Sequence, residues 1–136
     1  MKPPLLVTGA IIINLDKVLL VKRAREPFKG YWSLIGGVGA FEETSDPQEA
    51  IKMEVYGDIK CVFNPQFFKY KAETYSEFDL RTVVLYFYGN IKSSPLINQE
   101  YVLEYKWVPL PEAVKMKLGF DHQDILNEFL KSGLKS

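Results

Sequence analysis

Residues 30–61, GYWSLIGGVGAFEETSDPQEAIKMEVYGDIKC, lead from an extended stretch through a glycine pair into a capped helix that ends in carboxylates. Tyr31-Trp32-Ser33-Leu34-Ile35 has the aromatic and apolar content of a strand. Gly36 and Gly37 follow it, and glycine there allows positive φ and close approach of the backbone to a ligand. Asp46-Pro47-Gln48-Glu49 reads as a helix start. Asp46 suits the cap, Pro47 suits the first helical position because its missing N–H would have no partner there, and Glu49 can close a capping box. The predicted helix spans Pro47–Tyr56. If it continues further, Glu54 and Asp58 share one face, and two carboxylates side by side are hard oxygen ligands of the kind Mg2+ takes. Gly57 leaves two readings open: a left-handed stop that puts Asp58 outside the helix, or an interior position.

This arrangement resembles the Nudix box, a glycine, a spaced glutamate and then an Arg-Glu-apolar-x-Glu-Glu-x-Gly segment. Gly37 followed by five residues and Glu43 fits the first part. Anchoring the helix on Ala50 puts Glu54 at the Arg-Glu glutamate and Val55 at the apolar position, with about two extra residues in the loop between Glu43 and Ala50. Upstream, Val18-Leu19-Leu20-Val21-Lys22-Arg23 and Gly30-x-Trp32-x-Leu34-x-Gly36-Gly37 resemble the entry to the box, with Ile35 where the family usually has proline. The departures lie in the helix. Met53 stands for the arginine, Gly57 for the first glutamate of the closing pair, Asp58 for the second and Lys60 for the final glycine.

The resemblance implies an α/β fold, a Nudix-type α/β/α sandwich with a mixed sheet, formed by residues 1–136 as one domain. It implies Mg2+, or Mn2+ in its place, held by Glu54, Asp58 and Glu43. Catalysis falls to Glu54 and Asp58, and substrate binding to Gly36, Gly37 and Arg23. The activity implied is metal-dependent hydrolysis of a nucleoside diphosphate linked to another moiety. The alternative is a catalytically impaired nucleotide-binding or regulatory module, because an arginine and a glutamate of the pattern are gone. Leu118-Gly119-Phe120-Asp121-His122 is similar to the start of the C-terminal helix in ADP-ribose-type Nudix proteins, with His122 read as a surface residue of the first turn.

Composition narrows the classes. The chain has 136 residues, 17 basic and 17 acidic side chains and a formal net charge of zero, which disfavours a groove for nucleic acid. A small phosphorylated substrate stays compatible with this balance because a bound metal adds positive charge. The partner expected is therefore a small nucleotide-like molecule, with a homodimer allowed. Cys61 has no second cysteine to pair with and suits a reducing cytoplasm, as a small buried residue. Leu5–Ile13 reads as a buried strand rather than a signal peptide, and no run approaches the roughly 20 apolar residues of a membrane helix. The expected location is cytoplasmic.

Further strands are predicted at Lys17–Arg23, Cys61–Phe68, Arg81–Tyr88 and Tyr101–Val108, and helices at Leu110–Lys117 and Asp121–Leu130. Phe28, Tyr31, Tyr70 and Tyr75 lie near predicted loops and are candidates either for stacking on a base or for packing. Glu100 and Glu104 are candidates for an additional catalytic acid or are exposed strand-end residues.

Overall fold

In the computed structural model, which describes residues 2–135, the sheet is organised around β1 (Leu5–Asn14), whose side chains alternate between two cores. Ala10 and Ile12 face one side, and Ile11 and Ile13 face the other, as the two-residue period of a strand requires. β2 (Lys17–Arg23), β3 (Trp32–Ser33), β4 (Ile35–Gly37), β5 (Gln66–Tyr75), β6 (Leu80–Gly89) and β7 (Val102–Pro109) complete it. β1 runs parallel to β6 from Leu5↔Thr82 to Ile12↔Gly89 and antiparallel to β4 and β2. β5 pairs antiparallel with β6, and β3 and β7 antiparallel with β2. The sheet is therefore mixed.

Helix α1 (Pro47–Ile59) covers one face with Ala50, Ile51, Val55 and Ile59, packed with Ile12, Leu19, Val21 and Phe87. The other face is covered by α2 (Leu110–Ala113) and α3 (His122–Ser132). On α3, Ile125 and Leu126 lie four and three residues before Phe129, on one stripe, and pack with Ile11, Leu20 and Tyr86. Two apolar faces on one sheet, each closed by helix, give the α/β/α sandwich with a mixed sheet that the sequence implied.

Four local expectations change. The predicted strand at Tyr31–Ile35 is two short strands, β3 and β4, which pair with different partners. The strand expected at Cys61–Phe68 begins instead at Gln66 and runs to Tyr75, leaving only a bridge from Phe63 to Ile91 upstream. Pro65, which has no N–H to donate to a ladder, separates the two. The helix expected over Leu110–Lys117 ends at Ala113 and tightens into turns in which Lys115 N–H donates to the Glu112 carbonyl and Met116 N–H to that of Ala113. Helix α1 passes through Gly57 and stops at Lys60, which takes the left-handed conformation with φ of 54°. Gly57 is thus an interior residue and the stop falls three residues later.

Candidate functional site

The start of α1 is fixed by side chains of its own loop. Asp46 Oδ1 accepts from the Gln48 N–H at 3.0 Å, and Thr44 Oγ1 accepts from the Asp46 N–H at 3.1 Å. Thr44 occupies the role the sequence assigned to Glu49, whose carboxylate instead meets Lys52 at 3.4 Å. With the helix continuous from Pro47 to Ile59, Glu54 and Asp58 sit one turn apart on one face, and both line a cleft of about 560 Å3. Arg23, at the end of β2, and the Gly36-Gly37 strand line the same cleft, as do Glu43 and Glu26. Every residue assigned to catalysis, substrate or metal from the sequence therefore meets in one place.

Gly36 and Gly37 act through close approach and not through positive φ, which neither adopts. A Cβ on Gly36 would lie 2.1 Å from the Thr8 carbonyl oxygen, so β4 could not seat against β1 with any side chain there. A Cβ on Gly37 would lie 2.8 Å from Glu54 Oε2. The Glu54 carboxylate thus rests against the bare backbone of β4, and its Oε1 accepts from the Ala40 N–H at 2.9 Å. This ties the helix face to the loop in front of it.

Asp58 lies deeper. Burial, the neighbouring Glu54 charge and, in the opposite sense, the Arg23 guanidinium act on it, with the net result that its carboxyl is pushed up to about 7. Two carboxylates that disfavour each other's charge form a site that a cation relieves. Arg23 is held by its own contacts. Its Nε donates to the Pro27 carbonyl at 2.7 Å, and its guanidinium lies 4.9 Å from the Phe120 ring centroid. Burial pulls its pKa down, against the attraction of Asp58 and Glu26.

Other expectations are corrected. His122 is only 8% exposed, and its Nδ1 accepts from the Leu34 N–H at 3.0 Å, so it is a buried structural histidine and not a surface residue. Burial and the Arg23 charge push its pKa down to about 3, so its ring is neutral with the proton on Nε2. Glu100 and Glu104 pair with Arg25 at 2.6 Å and Lys22 at 3.5 Å on the surface, and neither lines the cleft. Phe28 packs against Tyr31, Tyr75 and Phe120, at 5.4 Å, 5.8 Å and 4.7 Å between ring centroids. Tyr70 is exposed on β5. Glu26 was missed in the sequence, where it is one more charge in a charged loop. Glu73 was also missed because the strand carrying it was ended at Phe68. Carrying the two-residue period on to Tyr75 puts Glu73 and Tyr75 on the same inward face.

The NUDIX domain family model matches residues 3–129. The chain belongs to the Nudix family. An ADPR responsive transcriptional repressor of Acinetobacter baylyi is 25% identical over 92% of this chain, which spans about half, 52%, of that repressor's length. Among solved structures, a MutT NUDIX hydrolase from Burkholderia pseudomallei superposes with a TM-score of 0.81 at 18% identity, covering 93% of this chain and 98% of that one. The NUDIX domain of Shewanella oneidensis NrtR, solved with ADP ribose, superposes with a TM-score of 0.80 at 22% identity, covering 97% and 90%. These likenesses at low identity establish the fold.

Nudix hydrolases generally use divalent metals. Among the described residues, no group of three or more His, Cys, Asp or Glu side chains converges to hold an ion. The donors present are the Glu54 and Asp58 carboxylates, with Gly57 where the family pattern has a third. That set fits a hydrated Mg2+ that shares its coordination with substrate phosphates, since Mg2+ keeps several waters and binds through one or two carboxylates. It does not fit a dedicated protein cage.

Proposed function

We propose that this Nudix protein hydrolyses a nucleoside diphosphate linked to another moiety, with a divalent metal that binds together with the substrate. The observation that carries this reading is the placement of Glu54, pinned between Gly37 and the Ala40 N–H, one turn from Asp58 in a cleft that Arg23 also lines. When bound, Mg2+ or Mn2+ would neutralise the diphosphate and lower the pKa of a coordinated water.

Glu54 and Asp58 would hold the cation, and Glu43 would add a ligand through water from the exposed loop. Arg23, with its Nε tied to Pro27, has the remaining guanidinium N–H groups to offer a phosphate oxygen. Gly36 and Gly37, whose missing side chains make room for the Thr8 carbonyl and the Glu54 carboxylate, would border the diphosphate as the β4 wall of the cleft. Glu54 also stands where a carboxylate can take a proton from the attacking water.

A second reading is supported by Gly57. The position faces the cleft with open space where the family has a glutamate, which suits a module that binds a nucleotide of ADP-ribose type and turns it over poorly. The similarity to an ADPR responsive repressor favours the same reading. Product release from ADP-ribose, other nucleoside diphosphate sugars, dinucleoside polyphosphates and nucleoside triphosphates, with and without Mg2+ or Mn2+, separates the two. Metal-dependent turnover is the expected result. Thermal stabilisation by one of these ligands without turnover would establish the binding module instead.

A further inference from the structure

A second cavity, of about 290 Å3, shares Arg23, Gly36, Gly37 and Val38 with the acidic cleft. Its size is at the low end for a small-molecule site, enough for a ring system and not for a whole dinucleotide. Its walls are mostly apolar, with Val7, Leu34, Leu80, Val84 and Phe120 among them, yet Glu73 also lines it and is only 3% exposed. A carboxylate in such a place calls for a partner.

Its protein partners are two tyrosines. Tyr75 Oη donates to Glu73 Oε1 and Tyr86 Oη to Glu73 Oε2, each at 2.7 Å. Tyr75 Oη itself accepts from the Asp121 N–H at 2.9 Å, which directs the tyrosine's own proton to Glu73. Both carboxylate oxygens therefore act as acceptors, and each keeps a lone-pair site beyond the one its tyrosine fills. No Lys, Arg or His side chain among the described residues forms an ion pair with Glu73. Among the other polar groups of the cavity, Thr82 Oγ1 donates to the Glu73 carbonyl, Thr8 Oγ1 to that of Gly37, and His122 Nδ1 accepts from Leu34, while Arg23 and His122 Nε2 bring N–H donors and not further acceptors.

We propose that Glu73 is a specificity-determining residue, whose carboxylate reads two adjacent N–H donors on the edge of a planar nitrogen heterocycle and so selects a guanine-type ring over adenine. The proposal rests on the reading of the cleft as a diphosphate site, because the shared wall at Arg23, Gly36 and Gly37 places the ring beside the phosphates. A ring N–H and an adjacent exocyclic amine match the two free acceptor sites. Adenine turns a ring-nitrogen lone pair toward one of them. Inosine keeps the ring N–H and lacks the amine, so it isolates one hydrogen bond.

The test is calorimetric titration of the wild-type chain with GMP, IMP and AMP in the absence of divalent metal, since monophosphates have no scissile diphosphate. GMP should bind roughly tenfold or more tightly than IMP, with AMP weaker again, because the lost bond is to a buried carboxylate oxygen. Glu73→Gln should erase the difference between GMP and IMP. The wild-type comparison stands even if that variant folds poorly. Equal affinity for GMP and IMP, AMP binding as tightly as GMP, or no binding of any of the three would overturn the assignment. Metal-dependent turnover of diphosphates regardless of the base would overturn it too, while leaving the proposed activity standing. Absence of both turnover and diphosphate binding would remove both.

Discussion

Gly37 shows how a single residue sets the site. The side chain it lacks would occupy the space of the Glu54 carboxylate, 2.8 Å from Oε2. The obstructed atoms are the tip of a flexible side chain and not backbone, so Gly37→Ala should be tolerated by the fold. It should displace Glu54, break the 2.9 Å bond from Ala40 and lower metal-dependent turnover at least tenfold, with stability reduced by about 1 kcal/mol or less. Unchanged rates in the purified variant would show that the carboxylate does not need this seat. A glycine after a strand was legible as a close-approach position in the sequence. What approaches it was not, because the Glu54 contact spans a loop whose length relative to the family pattern had changed.

At the scale of an element, α1 carries the site on one face and the core on the other. Ala50, Ile51, Val55 and Ile59 are buried while Glu54, Gly57 and Asp58 line the cleft. The cap at Asp46 and the proline at the first position made its beginning legible. Its end was not, because a glycine is the usual stop and here Lys60 takes the left-handed position instead. Gly57 is therefore a helix-interior glycine with open space around its missing Cβ. Gly57→Glu gains up to about 1 kcal/mol of helix propensity and loses about 0.2–0.5 kcal/mol to repulsion from Glu54 one turn back. The expected outcome is a small net rise in the urea midpoint together with higher Mg2+-dependent turnover from the added carboxylate. A variant that is more stable and no more active would favour the nucleotide-binding module.

Across the whole molecule, the sheet joins the acidic cleft to a buried polar set that only the tertiary structure assembles. The apolar run of β1 and the C-terminal helix were readable as elements, and the layered fold followed from the family resemblance. The burial of His122 was not, because its partner is a backbone N–H in the β3–β4 segment, 88 residues away in sequence. That burial gives stability a pH dependence. The folded-state pKa of His122 lies at about 3 against 6.5 for the free side chain, so the unfolded chain binds its proton first and stability is lost as pH falls below about 6.5. Asp58, raised from 3.8 to about 7, acts in the opposite sense over the same range, so the two partly cancel in the wild type. His122→Asn, which keeps an acceptor for Leu34, separates them. Between pH 7.5 and pH 5 it should gain about 2 kcal/mol relative to the wild type in urea unfolding, and a constant difference across that range would contradict the buried neutral histidine. The central claim is that Glu54 and Asp58 make a metal-assisted hydrolytic site, and Mg2+-dependent product release by wild type and Glu54→Gln on the same diphosphate substrate tests it most directly. The amide oxygen of the substituted side chain can still accept from the Ala40 N–H, so the melting temperature should hold within a few degrees while the rate falls roughly 100-fold or more. Wild-type rates in the folded variant, or no metal-dependent release by the wild type itself, would contradict the claim.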